Sequence, residues 1–228
     1  MHEINSPAQL KASARNSLNG HYAFFIAVHV TNSIIVSLFY MLMPFTILMP
    51  ITSLIAQLFS FHICRIYMMT FCGKKTSIKD LFIGNPDRAK EMQTIYAACI
   101  ITLIQFLCML PSNILSYTKI ANNSPSGFLL YSIALAAGLA LYYYIYLSLF
   151  PIYYLVTDCP GETITETLKM AVFISKGHRF RLFYLFAGFL PLFLLSLLSL
   201  GMGLLWVIPY MQATLTHYYF NLTASKAI

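Results

Sequence analysis

The sequence predicts an all-α fold: a polytopic transmembrane helical bundle of six spans with two or three short cytoplasmic interfacial helices, forming a single membrane domain over residues 1–228. Three observations predict it. Hydrophobic residues make up 59% of the chain and charged residues only 9%, against about 25% charged in a soluble domain, and the mean hydropathy is +0.72. The polar residues come in blocks that leave apolar runs of about 20 residues, the length that crosses roughly 30 Å of hydrocarbon at 1.5 Å per residue. When those runs are threaded back and forth, every Lys and Arg except Lys119 falls at one end of the bundle. The positive-inside rule makes that end cytoplasmic, with both termini there.

The elements follow in order. Residues 6–19 predict a short polar helix with Ser6 as N-cap, Pro7 at the first helical position and Gln9 closing an S-x-x-Q capping box, ended by Gly20. Leu10, Ala14 and Leu18 lie on one face and Lys11 and Arg15 on another, the pattern of a helix lying in the cytoplasmic interface. Span 1 covers about 21–43 and span 2 about 51–69, joined by an uncharged turn between Pro44 and Pro50. The block 72–93, with five basic residues against Asp80, Asp87 and Glu91, is a cytoplasmic loop. Span 3 covers about 94–116. Span 4, about 127–157, is longer than the hydrocarbon requires, so tilt, a kink near Pro151 or a protruding end is expected. The second large cytoplasmic loop, 158–181, holds an interfacial helix announced by a Thr163/Glu166 capping box and stopped at Gly177. Spans 5 (about 182–200) and 6 (about 203–220) are separated by an LGMG turn, and the tail ends near Lys226.

Charge and cysteine usage exclude several functions. The net charge of +7 resides in short loops, where it sets orientation, so nucleic acid is not an expected partner. The five cysteines (Cys64, Cys72, Cys99, Cys108, Cys159) contain no CxxC pair and predict neither a disulfide nor a metal framework. The unbroken apolar run after Tyr22 is too long for a cleavable signal core, so no removed leader is expected.

Three short stretches, SLNGHYAFF (17–25), LFIGNPDRA (81–89) and ISKGHRFRLF (174–183), each place a glycine between a polar segment and a span. They are either a threefold internal repeat or what any cytoplasmic approach to a membrane requires, a helix stop followed by interfacial His, Arg and aromatics.

No Asp, Glu or Lys lies inside a predicted span, which argues against a carboxylate-driven pump. The polar residues that remain in the spans and at their inner rim are His29 and Asn32 on span 1, Gln57, His62 and Arg65 on span 2, Gln105 and Asn113 on span 3, Gln212, His217 and Asn221 on span 6, and His178 and Arg179 at the interface. These either line a basic, cytoplasm-facing cavity for an anionic headgroup or small solute, or satisfy one another and the backbone between packed helices. The tyrosines of 142–154 read as packing and an aromatic belt. Intramembrane catalytic motifs, metal-ligand spacings and phosphate loops are absent, so neither an enzyme, a cofactor nor a metal is expected.

AQLKASARNSLNGHYAFF, DLFIG, YYLVTDCP, SKGHRFRLF and LLWVIPYMQATLTHYYFNL together resemble the bacterial integral-membrane family called domain of unknown function 975, along nearly the whole chain and in the family's order. The resemblance implies a six-span protein of the bacterial cytoplasmic membrane and implies no activity. Two functional expectations stand beside it. The basic inner face, with Arg65, His178, Arg179 and Arg181, points to a non-enzymatic scaffold or accessory protein engaging anionic membrane lipids or a membrane protein partner. The alternative is a small-solute transporter or exporter whose site lies near His29, Asn32, His62 and Gln212.

Overall fold

The computed structural model describes residues 6–42, 49–118, 124–158 and 163–225. The predicted turn after Pro44, the lone outer basic residue Lys119, Cys159 and the tail at Lys226 lie outside them. Among the described residues there is no strand. The elements are α1 (Pro7–Leu18), α2 (Tyr22–Leu42), α3 (Met49–Phe71), a one-turn 3-10 helix (Ile78–Leu81), α4 (Arg88–Tyr117), α5 (Pro125–Leu149), α6 (Ile152–Asp158), α7 (Ile164–Ser175), α8 (Arg179–Ala187), α9 (Leu190–Leu198) and α10 (Leu204–Ser225).

Five segments are long and apolar enough to cross a membrane: Tyr22–Met41, Pro50–Phe71, Arg88–Tyr117, Pro125–Asp158 and Arg179–Leu198. The predicted sixth span is α10, 22 residues long but outside that set. Gln212, Thr214, Thr216, His217, Asn221 and Thr223 lower its apolar content. This helix can carry so many polar groups because it packs against α1, α2, α3 and α9, and it buries Ala213, Thr214, Leu215, Thr216, Tyr218, Tyr219 and Leu222.

Prolines shape the two compound spans. Span 4 breaks at Phe150–Pro151 into α5 and α6, where the expected kink falls, because Pro151 has no N–H for the helical ladder. Span 5 breaks at Gly188–Phe189, just ahead of Pro191 in the first turn of α9. Span 3 starts earlier than its hydropathy indicates, because Asp87 caps α4 by accepting from the Ala89 N–H at 3.0 Å and so extends the helix back through charged residues.

Both predicted capping boxes form. Gln9 Oε1 accepts from the Ser6 N–H at 2.7 Å while Ser6 Oγ accepts from the Gln9 N–H. Glu166 Oε2 accepts from the Thr163 N–H and hydroxyl, each at 2.9 Å, and the backbone bond, then the hydroxyl, hold this exposed carboxyl below the usual glutamate range. The cap-to-glycine spacing is the same in both units, 6 to 20 and 163 to 177, and Gly20 and Gly177 stop their helices at φ +82° and +87°, a conformation that favours glycine. Gly84 differs. It has no positive φ, and a Cβ there would fall 2.5 Å from the Glu91 carboxyl carbon. The first and third stretches are therefore one local device used twice, and the second is a close approach of another kind.

The buried core lies in the helix halves next to the 72–87 and 158–178 segments: Phe61–Met68 of α3, Ala97–Ile101 of α4, Phe150–Val156 and α10 beyond Ala213. The opposite halves expose Leu38, Met41, Phe128, Leu129, Leu198 and Leu200. Apolar side chains need no protein partner where lipid tails surround them, so packing is concentrated at the end where polar backbone and loops need it.

Candidate functional site

Helical spacing brings a set of uncharged polar side chains to one cavity. His29 and Asn32 stand three apart on α2. Gln57, Ser60 and Cys64 stand at i, i+3 and i+7 on α3, on one face. Tyr142 and Tyr146 descend one turn of α5, the break at Pro151 lets Tyr153 and Tyr154 of α6 turn inward, and Gln212 comes from α10. Together with Ile63, Phe150 and Leu215 they line a space of about 330 Å³, at the lower end of the range for small-molecule pockets. Among the described residues, no Lys, Arg, Asp or Glu lines it.

Hydrogen bonds fix several of these groups. The His29 Nε2 and Tyr67 hydroxyl are 3.1 Å apart. Tyr153 donates its hydroxyl proton to Gln57 Oε1 at 2.7 Å. Gln212 Nε2 donates to Cys64 Sγ at 3.0 Å and to the Tyr154 hydroxyl at 3.3 Å. Asn32 Oδ1 is buried and has no hydrogen-bond partner among the described residues.

Of the sequence-predicted polar candidates, His29, Asn32, Gln57 and Gln212 meet in this cavity, and the remainder do not. His62 lies on a different face of α3. Its Nδ1 is 2.9 Å from the Leu81 carbonyl oxygen, and its Nε2 is 3.6 Å from Glu91 Oε1, within ion-pair range but beyond hydrogen-bond reach. Arg65, only 6% exposed, is neither a cavity residue nor free to reach a headgroup. Its Nη2 donates to the Asp80 and Ile83 carbonyls at 3.1 and 2.7 Å, clamping the loop to α3. His217 Nε2 sits 2.8 Å from Ser17 Oγ and its ring stacks on Phe71, tying α10 to α1. His178 precedes α8, and its carbonyl accepts from the Tyr218 hydroxyl at 3.0 Å. Arg179 donates to the Tyr144 hydroxyl at 2.9 Å and lies over that ring.

The amphipathic α1 also departs from expectation. Leu10, Ala14 and Leu18 are 2%, 0% and 0% exposed, because α1 is seated on α10, so its apolar face is filled by the protein's own helices. Lys11 Nζ donates to the Gly188 carbonyl at 2.7 Å and lies over Phe189, at the break in span 5.

A model of the family described as Protein of unknown function (DUF975) matches residues 1–226. The chain belongs to DUF975. The resemblance seen in the sequence therefore holds along the chain, whereas no curated protein and no solved structure matches it. In this DUF975 chain, sequence reading missed Ser60, Cys64 and the inward tyrosines as lining residues. The 3/4 spacing of Gln57, Ser60 and Cys64, repeated in Tyr142 and Tyr146, is the signal that finds them. Gln105 and Asn113 lie instead on a separate, largely apolar groove of about 660 Å³ with Pro50 and Tyr117. Among the described residues no three His, Cys, Asp or Glu groups gather as a metal site, and Cys64, Cys72, Cys99 and Cys108 are free.

Proposed function

We propose that this DUF975 protein is a non-enzymatic, multi-pass protein of the bacterial cytoplasmic membrane, with both termini cytoplasmic, that binds a small solute between its spans and passes it across. The observation that carries the reading is the cavity where His29, Asn32, Gln57 and Gln212 converge from three helices. Uncharged polar groups are gathered there, although the apolar side chains that fill the rest of the bundle would close the same space at no polar cost.

The scaffold reading draws less support from the geometry. It needs a basic rim free to meet anionic headgroups, and Arg65, Arg179 and Lys11 are engaged with Asp80, Ile83, Tyr144 and Gly188. The apolar face of α1, which would have lain in lipid, is buried.

Thiol accessibility tests the reading. With the native cysteines replaced, Ser60→Cys is expected to react readily with a small polar thiol reagent in membranes, because Ser60 lines the cavity. Ile34→Cys, 63% exposed on the apolar outer part of α2, is expected to stay unreactive in lipid. Equal inertness of the two cysteines would mean a dry cavity and would overturn the proposal.

A further inference from the structure

Two spaces share one face of α3. Pro50 and Ser53 line the largely apolar groove against α4, and Gln57, Ser60 and Cys64 line the polar cavity. These five residues follow one another at spacings of three and four, so they form a single stripe along the helix. Ser53 of the groove and Gln57 of the cavity stand about 6 Å apart along the helix axis.

The groove runs from that junction to the ends of its helices. On α4 it is lined from Thr102 through Gln105 and Asn113 to Tyr117, the last helical residue, and on α3 it reaches Pro50, the second. These ends lie away from the buried core, and the solute-passage reading above, on which this step rests, puts them outside. Ser53, Gln105 and Asn113 supply hydrogen-bonding groups down a wall otherwise made largely of Phe106, Met109 and Ile114.

Tyrosines stand where the two spaces approach. Tyr153 donates to Gln57 Oε1 at 2.7 Å and stacks on Phe61, and Gln57 is the α3 cavity residue nearest Ser53 in the stripe. Beside this pair, Tyr142, Tyr146 and Tyr153 meet Ile101 and Ile104 of α4 around a gap of about 10 Å³, room for a single water at most.

We infer that the groove between α3 and α4 is the outer vestibule of the solute route, and that the Tyr153–Gln57 hydrogen bond closes it from the cavity. A solute then passes from the Asn113 end of the groove past Ser53 and reaches the cavity at Gln57 when that bond opens.

Labelling of a cavity thiol from each side tests this. Ser60→Cys, with the native cysteines replaced, is placed in sealed vesicles of known orientation, and a membrane-impermeant thiol reagent is added outside or inside alone. Tyr153→Phe keeps the ring and its stacking but loses the donor, and is expected to raise the outside rate roughly fivefold without raising the inside rate. Asn113→Trp and Gln105→Trp fill the groove at its exposed end and at a half-buried position deeper in. Each is expected to suppress the outside rate while the inside rate holds.

Outside labelling that persists with either tryptophan in place would overturn the vestibule. A Tyr153→Phe rate unchanged from outside, or raised equally from both sides, would overturn the closure. Failure of Ser60→Cys to label from either side would instead remove the cavity reading itself, and labelling from the inside alone in every form would remove passage. The inside rate also reports folding, so a tryptophan form that loses it is misfolded, and the other tryptophan form and Tyr153→Phe then carry the test.

Discussion

Arg65→Ala is expected to lose on the order of 3 kcal/mol of stability, seen as a fall of roughly 5–10 °C in the thermal midpoint of the detergent-solubilised protein. The cause is local. Arg65 comes from α3 and donates through one nitrogen to the carbonyls of Asp80 and Ile83, at the end of the 3-10 turn whose Leu81 is fully buried. Alanine would leave two carbonyl oxygens facing a void, and hydrogen bonds from a charged donor contribute about 1.5–3 kcal/mol each. The loop would be released together with its second tether, the 2.9 Å contact between His62 Nδ1 and the Leu81 carbonyl. Arg65→Lys is expected to fall between the two, since an ammonium is compact and lacks the planar fork. Faster proteolysis within residues 72–87 of the Arg65→Ala protein, compared with the unsubstituted chain, checks that the loop is the part that moves.

Gly138→Ala is expected to destabilise the protein, reversing the usual sign for this exchange in a helix. Replacing a mid-helix glycine by alanine ordinarily stabilises by about 0.5–1 kcal/mol. Here α5 approaches α4 so closely that a Cβ on Gly138 would stand 2.5 Å from the Cys108 carbonyl oxygen and 3.4 Å from its carbonyl carbon. Those are backbone atoms of a helix, with no rotamer to yield, so the helices must part, and overpacking of this kind costs about 1–3 kcal/mol. Close approach over a small residue is how helices associate where lipid offers no hydrophobic drive. A thermal midpoint lower for Gly138→Ala, and lower again for Gly138→Val, is the expected order. An Ala form as stable as the glycine form would show that the α4–α5 contact is not that tight.

The predicted fold was legible wherever it rests on local chemistry. Ser6 with Gln9, Thr163 with Glu166, Gly20 and Gly177 act within one or two turns of themselves, and they cap and stop helices as their residue types require. The start of α4 was not legible from hydropathy, because the Asp87 cap extends the helix through Arg88, Lys90 and Glu91. Nor was the character of α10. As a predicted span it was to be apolar, whereas its burial among α1, α2, α3 and α9 permits a polar sequence.

The site shows the same division. His29 and Asn32 share a face at i, i+3, and both reach the cavity. His62 and Arg65 also share a face, but what that face meets is the returning 78–83 loop, and nothing in the spacing on α3 alone says where a loop will dock. Three of the basic residues expected to form a free rim have tertiary partners that only the fold reveals: Asp80 and Ile83 for Arg65, Tyr144 for Arg179, and Gly188 for Lys11.

Passage of a solute through the cavity is tested most directly by asking from which side of the membrane the cavity can be reached. Gln212→Cys, with the native cysteines replaced, would be treated in sealed vesicles of known orientation with a membrane-impermeant thiol reagent added to the inside or to the outside alone. The account predicts modification from each side separately, as the cavity opens alternately to both. Modification from one side only, or from neither, would contradict it.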